Sequence, residues 1–206
     1  MQPNEQFGKL ADQATIEKTA QALQANGIES FIAETGEEAK KKVLELVPEG
    51  AEVMNMTSMT LEVVSLSKEL NELARFTSVR NRLNTMDQKT QGPEIRRLGA
   101  APEYVVGSVH AVTQDGHILV ASASGSQLPA YAYGAAHVIW VIGAQKIVRD
   151  TEEGLKRLSE YSFPLEDERA LKAYGVHSGV NKILIVNKEM NPNRVTAILV
   201  KEKLGF

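Results

Sequence analysis

The five residues 138–142, Val-Ile-Trp-Val-Ile, are apolar without alternation. A strand with one wet face alternates polar and apolar side chains, so an unbroken β-branched and aromatic run demands cover on both faces. That requirement selects an α/β fold in which helices lie on both faces of a mainly parallel sheet. The run ends in Gly143-Ala-Gln-Lys146, which puts Lys146 at the strand's carboxyl end. Open α/β sheets bind ligands along that edge, and a lysine there is a ready point charge for an anion. A lysine whose stem snorkels along the surface is the competing reading. On either reading it lies at an exposed end, so Lys146→Ala is expected to leave the fold almost unchanged.

Upstream of this run, 109–113 and 117–121 are β-rich and flank Gln-Asp-Gly, a hairpin signal because glycine supplies the positive φ of a tight turn. Ser122, Ser124, Gly125 and Ser126 follow, small residues that let backbone and hydroxyls approach a ligand. Residues 127–134 read as a short helix with Pro129 in its first turn.

Earlier in the chain the spacing predicts a helix over 15–26, a strand over 28–33, a helix over 36–46 and a strand over 51–56. This alternation argues for parallel strands joined by crossover helices. Thr57-Ser58-Met59-Thr60-Leu61-Glu62 then opens a helix that runs to about residue 74. Such a hydroxyl-rich turn caps a helix, with Ser58 and Glu62 close to a capping box, and its amides also attract anions. Both readings stay open. A third strand falls at 75–79, and Arg80, Arg82, Arg96 and Arg97 lie in the least regular third of the chain. Four guanidinium groups there either clamp an anion or pair with solvent and local acids. Beyond Lys146 come a surface helix over 152–161 and a helix from Pro164 with acids in its first turn. A loop at 174–179 and strands over 183–187 and 195–200 complete the chain, with no repeat or linker, which predicts one domain over 1–206.

The candidate ligand set is therefore Thr57, Ser58, Thr60, Ser124, Gly125, Ser126, Gln127, Gly143 and Lys146. Because 57–62, 122–127 and 143–146 each follow a strand, they are expected to converge on one crevice, although the direction of the hairpin's return strand is not fixed. Glu62 and Asp167 are the acid–base candidates if the protein is catalytic. The four histidines show no metal-ligand spacing, and no metal is expected. No G-x-S-x-G elbow and no strand followed by G-x-G-x-x-G is present, which removes two common enzyme classes. With no cysteine the chain holds no disulfide, thiol nucleophile or cysteine-ligated cluster, and together with the missing dinucleotide fingerprint this leads us to expect no flavin, haem, iron–sulfur or other cofactor. Net charge −3 gives no footprint for nucleic acid. The longest apolar stretch, 135–144, is well short of the roughly 18 residues that suggest a membrane span. The opening MQPNEQFGKLADQ does not read as a secretory signal, so the cytoplasm is the expected location.

The run ASASGSQLPAYAYGA…VIWVIGAQKIV, with GSVHAVT before it and PLEDERALKAYGV…NKILI after it, resembles the lactate utilization (LUD) domain family over nearly the whole chain. The resemblance implies a Rossmann-like fold akin to the sugar-phosphate isomerases and CoA-transferases. It also implies a link to bacterial lactate oxidation through iron–sulfur partner proteins. The position of 57–62 resembles the phosphate-binding turn of ribose-phosphate isomerases, without that turn's glycines. The first functional expectation is a protein of lactate or related organic-acid use that binds a small anion and meets redox partners. The alternative is a stand-alone isomerase or CoA-transferase acting on a sugar phosphate or acyl-CoA. A small-ligand sensor and a homo-oligomer remain open.

Overall fold

The computed structural model describes residues 2–206. Its larger sheet is parallel throughout and contains β1 (Glu29–Ala33), β2 (Glu52–Asn55), β3 (Thr77–Ser78), β4 (Tyr104–Gly107), β7 (His137–Gly143) and β10 (Val195–Val200). The order across the sheet is β1-β10-β7-β4-β2-β3, which places the apolar run 138–142 centrally. Its two-sided burial explains the missing alternation. Val138, Trp140 and Ile142 enter one core cluster, while Ile139 and Val141 enter the other. On the second side the cover is α2 (Gly36–Leu46), α3 (Met59–Val63) and α4 (Leu66–Glu72), through Ala39, Val43, Leu61, Leu66 and Leu70. On the first side lie α1 (Gln13–Ala25), α5 (Val79–Asn84) and α6 (Gly92–Ala100), through Ile16, Ala20, Leu23, Val79 and Leu98.

The hairpin does not extend this sheet. β5 (Ala111–Thr113) and β6 (Ile118–Ser122) pair antiparallel and form the middle of a second, mixed sheet, flanked by β8 (Ile147–Val148) and β9 (Lys182–Val186). Val112, Ile118 and Val120 turn into the first core cluster, so both sheets share one apolar layer. The other face of the second sheet packs Ala111, Leu119 and Ala121 against Leu158. Leu158 follows α7 (Thr151–Arg157), and a wide π-type turn joins α7 to α8 (Phe163–Tyr174).

Several local expectations are corrected. The single helix from 57 to about 74 is two short ones, broken where Ser65 adopts a left-handed φ of 58°. Ser58 precedes α3 but makes no side-chain cap, so the capping box does not form. The third strand is only the pair Thr77–Ser78, and the irregular arginine-rich stretch is helical over α5 and α6. The short helix at 127–134 is a π-type turn over Ala130–Gly134. Among the described residues no helix is long and apolar enough to cross a membrane.

Candidate functional site

Loops that leave parallel strands at their carboxyl ends emerge on one edge of the sheet. Here those after β2, β4 and β7 meet the turn after β6 around a cavity of about 460 Å³. Thr57, Ser58 and Glu62 line it from the first loop, Ser108 and His110 from the second, and Lys146 from the third. Ser122, Ser124 and Gln127 form the wall contributed by the second sheet, and Glu166, Arg169 and Tyr174 reach it from α8.

Not every expected residue faces this space. Thr60 is buried and donates to the Leu204 carbonyl at 3.0 Å. Gly143 is hemmed in, since a Cβ there would stand 2.2 Å from Gln145 Oε1 and 2.7 Å from the Leu204 backbone nitrogen. Gly125, with φ +88°, and Ser126 shape the serine turn without lining the cavity. The turn is largely self-satisfied. Ser122 Oγ accepts from the Gly125 N–H at 2.8 Å and donates to Gln127 Oε1 at 2.9 Å, and Ser124 Oγ meets Ser126 Oγ at 3.1 Å. Asp167 also lies outside the lining and is engaged by His177 Nδ1 at 2.9 Å and the Ser178 N–H at 2.7 Å. Those bonds hold its carboxyl below the usual range. The four arginines form no clamp: Arg82 pairs with Glu94 at 3.2 Å, Arg80 donates to the Asn55 carbonyl, and none of the four lines the cavity.

Lys146 is the largest departure. It is 1% exposed rather than a snorkelling surface lysine, because the turn after β7 folds it inward beneath 57–62. Its ammonium donates to Thr60 Oγ1 at 2.9 Å, Ser108 Oγ at 3.0 Å and the Val109 carbonyl at 3.0 Å. Arg157 is fully buried beside it and donates to the carbonyls of Gln145 and His110 and to Ser162 Oγ, while its Nη2 has no partner. Among the described residues neither cation has a carboxylate within 4.0 Å. Burial, and then the mutual repulsion of the two, pushes Lys146 well below its usual pKa, and burial lowers Arg157 to about 10. Arg169, by contrast, grips Glu166 through two bonds of 2.7 Å, and that pairing raises its pKa.

Ser108, His110 and Arg157 were not among the expected site residues. A signal for Arg157 is its spacing with Gly154, Leu158 and Tyr161, which puts it on the buried face of a helix that otherwise reads as a surface one. For Ser108 and His110 no sequence signal distinguishes them from ordinary strand residues.

Two sheets around a shared core, with a cavity at the carboxyl edge of the parallel one, define a Rossmann-like α/β protein with a ligand-sized site. The LUD domain model matches residues 16–200, and the chain belongs to the LUD domain family. The fold is similar to the crystal structure of a DUF162 family protein from Deinococcus radiodurans, with a TM-score of 0.58, covering 93% of this chain and 99% of that one at 11% identity. A search of curated proteins found no match. Family membership supports a role related to lactate utilization.

Proposed function

We propose that the cavity binds a small organic anion during the use of lactate or a related acid, with redox partner proteins supplying the iron–sulfur centres that a cysteine-free chain does not hold. The observation that carries this reading is a pair of buried basic side chains with no carboxylate within 4.0 Å among the described residues: Lys146, which lines the cavity, and Arg157 close behind it. Taking a charge out of water is expensive unless it is paired, so an anion entering the cavity would offset a cost already present in the folded protein. Because Lys146 spends its three N–H groups on internal acceptors, it contributes positive potential more than a direct ligand bond. The direct contacts fall to the hydroxyls, amides and imidazole on the lining.

Thermal denaturation in the presence of lactate, pyruvate, sugar phosphates and acyl-CoA tests this. A ligand at 100 times its dissociation constant stabilises by about 2.7 kcal/mol. A shift with a small carboxylate is the expected result, and no shift with any of these anions contradicts it. Stabilisation by acyl-CoA or a sugar phosphate alone would favour the stand-alone transferase or isomerase reading. That reading retains Glu62, an exposed carboxylate bordering the cavity, and gains nothing from Asp167, whose carboxylate is engaged elsewhere.

A further inference from the structure

The strand pairing opens where β5 begins. The register sets Ala111 opposite Leu119, yet the His110 N–H also donates to the Leu119 carbonyl at 3.0 Å. Two residues of one strand thus face one of the other, the arrangement of a β-bulge, which re-aims a side chain. The carbonyls released by this opening do not pair with β6: Val109 O accepts from Lys146 and His110 O from Arg157. The Ala121 N–H is left to donate to His110 Nδ1 at 3.1 Å.

That last bond decides the tautomer. A backbone N–H can only donate, so Nδ1 must present its lone pair and the ring proton must sit on Nε2. Nε2 has no partner among the described residues and is not one of the fully buried unpartnered atoms, and the open space His110 borders is the cavity.

Resting on the anion-site reading above, we propose that His110 is a fixed, neutral donor whose Nε2–H holds an oxygen of the bound oxyanion, carboxylate or phosphate. A second proton on the ring would need Nδ1, which is already committed, and would place a third cation beside Lys146 and Arg157. Burial first, and then these two cations, hold the His110 pKa at about 3. The acidic side chains on the cavity lining are those of Glu62, which is exposed, and Glu166, which is held by Arg169; Phe206 lines it as well. With Nδ1 taken by the Ala121 N–H, His110 is placed as a donor rather than as a base. It can orient an acceptor oxygen without itself changing charge.

Two measurements on the full chain test this. Histidine-labelled, ligand-free protein should show the Nε2–H tautomer for His110 in nitrogen NMR, unchanged from about pH 5 to 8, the range in which an ordinary histidine titrates. An Nδ1–H ring or an imidazolium overturns the proposal. Calorimetry with lactate, pyruvate and inorganic phosphate then compares the wild type with H110Q and H110F, circular dichroism verifying that both fold. Both variants lose the Nδ1 acceptor, but only glutamine keeps a donor near the position of Nε2. H110Q should bind within about threefold of wild type, and H110F about 10- to 100-fold more weakly, the loss of one hydrogen bond to a charged group. Wild-type affinity in H110F overturns the donor role alone. Absence of binding by wild-type protein to all three probes overturns the anion reading and the donor role together, and the tautomer result tells the two failures apart.

Discussion

Lys146 is buried with no carboxylate within 4.0 Å among the described residues, which changes what its substitution does. The sequence-based expectation that Lys146→Ala leaves the fold almost untouched is replaced by a cost. Truncation leaves a void and removes the donor shared by Thr60, Ser108 and the Val109 carbonyl, so it should destabilise by roughly 2–4 kcal/mol in urea denaturation. Lys146→Met fills the space without a charge and should cost less. The pH dependence has a defined sign. The folded-state pKa lies well below 10.5, whereas the unfolded chain keeps its lysine protonated to about pH 10.4. Between those values the unfolded state binds more protons, so unfolding free energy rises with pH, by up to about 1.4 kcal/mol per unit. Lys146→Met removes that contribution, and its urea midpoint should climb less steeply than the wild type's as the pH is raised toward about 10.4. Gly107 is a second sensitive residue. A Cβ there would lie 1.7 Å from Tyr131 Oη, so Gly107→Ala must displace a ring that borders the cavity and packs edge-on to Trp140 at 5.5 Å. The expected outcome is a loss of about 1–3 kcal/mol with altered Trp140 fluorescence, since Trp140 is the chain's single tryptophan.

At the scale of elements, the tip of the β5–β6 hairpin fastens the second sheet to the first layer. Asn26, at the end of α1, donates through Nδ2 to the carbonyls of Asp115 at 2.9 Å and Gly116 at 3.2 Å. Gly116 has φ +83°, and a Cβ there would come within 2.7 Å of the Ala22 backbone. Gly116→Ala should therefore lower thermal stability by about 1–3 kcal/mol through strain and clash together. The Asp-Gly signal, the two-sided 138–142 strand and the helix over 36–46 were legible because each rests on local chemistry: a positive φ, a missing polar face, a clear helical spacing. The same holds for 195–200, read to its observed bounds. What could not be read is non-local. No residue near Ser65 announces that its helix breaks there, and nothing in VHAVT shows that β5 bulges or joins a sheet of its own. Burial of Arg157 and Lys146 depends on how α7 and the turn after β7 seat against the hairpin. The crevice was legible as a set of strand-following loops, but the residues that charge it were only half visible.

For the molecule as a whole, the parallel sheet fixes three loops on one edge, the second sheet supplies a wall of the cavity, and Lys146, backed by Arg157, lines it with no carboxylate within 4.0 Å among the described residues. The central claim is that this charge exists to receive a small organic anion. Isothermal titration of the purified protein with lactate and pyruvate, run beside the folded Lys146→Met variant, tests it most directly. The account predicts saturable wild-type binding that weakens at least tenfold when the buried ammonium is gone, about 1.4 kcal/mol or more. No binding by the wild type, or equal affinity in the variant, would contradict it.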